Sequence, residues 1–126
     1  MIKTFRELIV WQKSMQLVTN IYRLSQAFPR EERYGLTNQL RRSAVSVPSN
    51  IAEGFGRQTT KDYLRFLQIA MGSLFEFQTQ LEIAKNLEFL SRTDFDSTFE
   101  ASRELERMLS SLIRKLKSKE QSGKGS

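Results

Sequence analysis

The stretch from Tyr63 to Ala84 constrains the fold more than any other. Tyr63, Leu67, Ala70, Leu74, Phe77, Leu81 and Ala84 alternate steps of four and three. That is a sustained heptad seam, which only a helix can present to a neighbour as one continuous apolar edge. Phe66, Met71 and Phe75 widen the apolar surface beyond a stripe, so this helix is expected to touch more than one partner. Thr59 or Thr60 starts it, with Asp62 as a first-turn acid.

Three further helical segments surround it. The first is expected from about Phe5 to Ala27, opened by a Thr4/Glu7 capping box. Phe5, Leu8, Trp11, Met15, Val18, Tyr22 and Leu24 or Ser25 are read as its core seam, with Ile9 and Ile21 flanking. Phe28-Pro29 ends it, because the residue before proline avoids helical geometry. The last begins near Thr93, with Phe95, Phe99, Ser102, Leu105, Leu109, Leu112 and Leu116 as its seam. Residues 1–118 form one bundle domain in this reading, and residues 119–126 a disordered polar tail. Short turns between long helices imply antiparallel neighbours. The expected class is all-α, an up-down-up-down four-helix bundle.

The second helix, within Leu36 to Gly56, is the odd one. Leu36, Leu40, Ala44, Val47 and Ile51 supply its core stripe. Gln39, Arg42, Ser46, Ser49 and Glu53 follow at spacings of three and four along another face, with Ser43 and Asn50 beside them. Pro48 lies mid-helix and is expected to kink it. Gly54 and Gly56 are read as its stop. A stripe of Ser, Asn and Gln flanked by Val45, Pro48 and Ala52 points to a specific contact, either with another subunit or with a ligand. Arg42, Val45, Pro48, Asn50, Ala52 and Glu53 are therefore the candidate oligomer interface.

Composition excludes much chemistry. The chain has 0 cysteines and 0 histidines. Disulfides, thiolate metal sites and the commonest general base are absent, and no cofactor, metal or catalytic set is expected. The acids are scattered, so a two-carboxylate hydrolase is not specified and the chain is not expected to be an enzyme. Gly54-Phe55-Gly56-Arg57 lacks the Gly-Lys-Ser/Thr ending of a phosphate loop and follows no strand. The N-terminus has Arg6 and Glu7 near its start, unlike a signal peptide. No stretch approaches the roughly 18 apolar residues of a membrane span. No membrane partner and a cytoplasmic location are expected.

Lysines and arginines number 20 against 14 acids, a net charge of +6. Such an excess favours acidic partners, nucleic acid first. Arg41, then Arg57, Lys61 and Arg65 around one helix start, then Arg114, Lys115 and Lys117 near the C-terminus, are the candidate nucleic-acid-binding cations. Tyr34, placed in a turn, is the best candidate for stacking on a base.

LIVWQKS at Leu8 to Ser14, FPREERYGLTNQLRRSAVSVPSNIAEGFGR at Phe28 to Arg57, and YLRFLQIAMGSLFEFQTQLEIA at Tyr63 to Ala84 carry a family resemblance. The chain resembles the small bacterial four-helix-bundle proteins encoded within intervening sequences of 23S ribosomal RNA genes. Members of that family are similar to the accessory variability protein of diversity-generating retroelements, a ring of five subunits that binds nucleic acid and a reverse transcriptase. The resemblance implies a homopentamer and a role beside RNA, and supplies no activity. Its alternative implication is a scaffold that docks a protein such as a reverse transcriptase. Phe77 and Gln78 stand where family members more often carry Leu and Glu.

Overall fold

A computed structural model describes residues 1–125 of the chain, with side chains described to Ser122. Four helices form it: α1 (Ile9–Ser25), α2 (Leu36–Phe55), α3 (Thr60–Asn86) and α4 (Arg92–Gly125). Short 3₁₀ turns, Phe5–Glu7 and Arg30–Glu32, precede α1 and α2. Each helix packs on its two neighbours in the square, and the diagonal pairs make no close backbone approach among the described residues. This is the expected four-helix bundle, with no strand among the described residues.

The heptad seam of α3 is the wall against which everything packs. Leu67, Ala70, Leu74, Phe77, Leu81 and Ala84 are all sealed from water. Leu40, Ala44, Val47 and Ile51 of α2 and Leu105 and Leu109 of α4 close over them. Full burial of each Leu, Ile, Val and Phe among them contributes about 1.5–3 kcal/mol.

The first helix departs from its expected form. Phe5–Glu7 is a 3₁₀ turn, and Leu8 is extended at ψ 123°, so the α-helix starts only at Ile9. The Glu7 carboxylate accepts the N–H groups of Thr4 and Lys3, which closes that turn. The core face is also rotated. Val10, Ser14, Leu17, Ile21 and Ser25 are buried, whereas Met15 and Tyr22 are exposed. Ser14 and Ser25 are polar, yet each hydroxyl donates to a carbonyl of its own helix, Trp11 and Tyr22, so burial leaves no orphan.

The α2 helix runs through Pro48 without ending. Gly54 lies inside it and is buried, so it does not stop the helix; Gly56 is the cap residue. Glu32 reaches forward to accept the Leu36 N–H at 3.1 Å, placing an acid at the α2 N-terminus. Thr59 caps α3, accepting the Asp62 N–H at 3.1 Å.

The turn from α3 to α4 holds a motif the sequence reading missed. The Phe89 N–H bonds the Ala84 carbonyl and the Glu88 N–H bonds the Lys85 carbonyl, both at 2.9 Å. Glu88 adopts the left-handed conformation, φ 63°. This is a Schellman ending with glutamate where glycine is usual. Phe89 then meets Phe28 of the α1–α2 turn, ring centroids 5.7 Å apart, which pins both turns to one end of the bundle.

The start of α4 is Arg92 rather than Thr93, and Ser91 accepts the Asp94 N–H at its head. Its helix continues to Gly125, where a disordered tail is expected from residue 119. The segment Lys115 to Gln121 consists largely of good helix formers with no proline, so local propensity favours continuation. Ser126, the last residue of the expected tail, lies outside the described residues.

Candidate functional surfaces

Antiparallel packing sorts the candidate cations by end. Arg57, Lys61 and Arg65 flank the α2–α3 turn. The C-terminal part of α4 comes back to that same end, with Arg114 and Lys117 bordering the groove that also contains Gln68 and Met71 of α3. Six of the seven cations picked from sequence thus gather at one end: Arg57, Lys61, Arg65, Arg114, Lys115 and Lys117. Arg41 lies at the other, beside the end of α1.

Two guanidiniums share one ring at the first end. Arg57 sits 4.5 Å and Arg65 5.0 Å from the Phe66 centroid, a cation–π arrangement that holds both on the surface. Arg57 also pairs with Glu53 at 3.1 Å, on an exposed part of α2. Such a surface pair contributes little, about 0–1 kcal/mol, and yields readily to a phosphate. Asp62 occupies the first turn of α3, so the helix dipole there is already partly answered. Tyr63, packed edge-on against Phe55, has its hydroxyl pKa raised above the ordinary value by burial.

The candidate interface residues divide. Val45, Pro48 and Ala52 come together with Trp11, Met15 and Val18 in an open apolar groove of about 340 Å³ between α1 and α2. Arg42 and Glu53 are exposed on α2. Asn50 is turned inward, its Nδ2 donating to the Ser46 carbonyl and hydroxyl at 2.8 and 3.0 Å. Ser46 in turn meets Ser73 of α3 at 2.8 Å. Part of the polar stripe therefore stitches α2 to α3 within the chain. Ser43 belongs to the same seam, 2.8 Å from Gln80 Oε1.

A second apolar groove lies on the opposite side of the square. Met71, Gly72 and Phe75 of α3 face Ile113 of α4 around about 530 Å³. Phe75 is 47% exposed, a large apolar surface for a side chain in mid-helix. Nothing lies within 4 Å of where a Gly72 side chain would begin. A mid-helix glycine costs about 1 kcal/mol relative to alanine, and no contact in the chain accounts for it. The sequence reading did not single out this groove; the widened apolar face of α3 was its signal.

At the departures Phe77 and Gln78, Phe77 is fully buried. Gln78 Nε2 donates to Ser102 Oγ at 3.2 Å and to Glu106 Oε1 at 3.1 Å. A carboxylate at position 78 would meet the Glu106 carboxylate, so the amide suits this neighbour. Tyr34 is 85% exposed, with Arg33 stacked 5.5 Å from its ring centroid.

Among the described residues, no group of three His, Cys, Asp or Glu side chains is placed to hold a metal ion. No helix among the described residues is long and apolar enough to cross a membrane.

Comparison with known proteins agrees with this bundle. A crystal structure of a protein of unknown function from the S23 ribosomal protein family of Bacteroides thetaiotaomicron aligns at TM-score 0.78 and 26% sequence identity, covering 83% of this chain and 98% of that one. No curated protein matches the chain. The family model of the 23S rRNA-intervening sequence protein matches residues 6–111. That match spans the helical core from the Phe5–Glu7 turn into the last turns of the α4 seam, and the chain belongs to the 23S rRNA-intervening sequence protein family.

Proposed function

We propose that this chain is a non-enzymatic, cytoplasmic, ring-forming protein, pentameric by its likeness to the accessory variability protein, that associates with RNA. The observation that carries the RNA reading is the convergence of cations from the α2–α3 turn and from the end of α4 on one end of the bundle. In a closed ring that end repeats around the axis, so weak phosphate contacts add through avidity.

Two opposite apolar grooves support the ring. The α1–α2 groove of one subunit faces the α3–α4 groove of the next, a head-to-tail contact that closes when the rotation allows. Gly72 lets the neighbour approach the α3 backbone.

The test is a salt titration of binding to a structured rRNA fragment and to a matched DNA duplex, with the native chain and Lys61→Glu/Arg65→Glu. The expected result is preferential RNA binding whose logarithmic salt slope falls by roughly 0.7 per phosphate contact removed. Absence of RNA binding at low salt overturns the reading. It would leave the charge a solubility feature and favour the protein scaffold, in which the same ring docks a partner such as a reverse transcriptase.

A further inference from the structure

We propose a phosphate-binding site at the α1–α2 corner, the end of the bundle opposite the clustered cations. A cavity of about 280 Å³ lies there, bordered by Ser25, Gln26, Arg30, Arg33, Thr37 and Arg41. A tetrahedral anion fits within that volume.

Three observations define the ligand. Three arginines border the cavity, and none of them pairs with a carboxylate among the described residues. The nearby acids do not border it: Glu32 is committed to the Leu36 N–H, and Glu31 is exposed on the 3₁₀ turn. Arg41 is also held in place. Its Nε donates to Ser25 Oγ at 2.8 Å, its Nη2 to the Tyr22 carbonyl at 3.2 Å, and its plane lies 4.6 Å from the Tyr22 centroid. A guanidinium carries five N–H donors, so three remain for a ligand.

The third observation is Thr37. This residue is 6% exposed, and its hydroxyl is the buried side-chain polar atom without a hydrogen-bond partner among the described residues. A buried hydroxyl left unbonded is costly, and no atom among the described residues bonds to this one. A tetrahedral anion offers several acceptor oxygens at once, enough for the guanidinium forks and for this hydroxyl. The charge of three arginines favours a phosphate monoester over a diester, because only the monoester carries close to two negative charges at neutral pH. A phosphate of that charge occurs as the monoester at the end of an RNA strand and as free inorganic phosphate. The RNA source rests on the function proposed above; the anion site itself does not.

The experiment uses the full chain and follows amide resonances on titration with inorganic phosphate against chloride at matched ionic strength. Affinities are then measured for a short RNA with and without a 5′-phosphate. The expected result is a phosphate-specific, saturable shift at Ser25, Gln26, Arg33 and Thr37, weakened at least about tenfold by Arg33→Ala. Thr37→Val weakens it too, while the melting temperature holds or rises because an orphan hydroxyl has been removed. A purely structural Thr37 would leave affinity unchanged. A 5′-phosphate that tightens RNA binding identifies a strand end as the source. Saturation by inorganic phosphate with indifference to the RNA end identifies free phosphate and keeps the site. No shift at this corner, or the same shift with chloride, overturns it even if RNA binds elsewhere.

Discussion

A side chain on Gly54 would begin 2.8 Å from Cβ of Phe66 and 3.1 Å from the Tyr63 ring. This pair marks where the end of α2 crosses the beginning of α3. Glycine is required there for closeness, since its φ is not positive. The same crossing presents Phe66 to Arg57 and Arg65, so backbone proximity in the core sets where two surface cations stand.

Gly54→Ala is therefore expected to destabilise the chain by about 1–3 kcal/mol, the usual cost of overpacking. Urea unfolding measures it. A neutral result would mean that α2 and α3 separate freely at this crossing.

Glu88→Gly is expected to act in the opposite sense. The left-handed conformation costs a residue with a Cβ about 1–2 kcal/mol, and glycine escapes that cost at some loss of unfolded-state entropy. A net gain of roughly 0.5–1 kcal/mol should appear in thermal or urea melts. The φ of 63° at Glu88 is the basis for the sign.

The two grooves are tested by mass. Val45 is 38% exposed, so Val45→Asp leaves the fold intact, and its charge is expected to reduce the assembly to a 14.7 kDa species in light scattering. Gly72→Ala probes the other side. With open space beside it, alanine should stabilise an isolated subunit by about 1 kcal/mol while weakening the assembly. Unchanged mass in both variants removes the grooves as interfaces.

Glu7 links the N-terminal turn to acid. The N–H of Thr4, and then that of Lys3, bonds its carboxylate and holds its pKa below the ordinary glutamate value. A depressed native pKa means that the stabilisation is complete above the unfolded value of about 4.3 and lost as pH falls through the native one. Glu7→Gln is expected to abolish that part of the acid dependence. Amide exchange at Thr4 and Lys3, followed across acid pH, reads it directly.

Much of this is legible in the sequence. The sequence by itself determined four helices, the buried seam of α3 and the Phe95, Ser102, Leu105 and Leu109 part of the α4 seam, because a face that meets the core must repeat apolar residues at the helical period. The Thr59 cap was legible for an equally local reason, a side-chain oxygen three residues before an N–H that needs one.

Tertiary structure decided what local pattern leaves open, namely which face meets which neighbour. Met15 and Tyr22 carry helical spacing as good as that of Val10, Leu17 and Ile21. Only packing against α2 and α4 selects the latter, and Ser14 and Ser25 hide in the core by bonding their own helix. Gly54 looks like a helix stop until Phe66 lies beside it. Nothing in the spacing of Arg30 and Arg33 shows that the turn sets them beside Thr37 and Arg41. A helix period is set by one backbone; a cavity, a crossing and a gathering of charge need two or more, and their closeness is not written in the spacing of either.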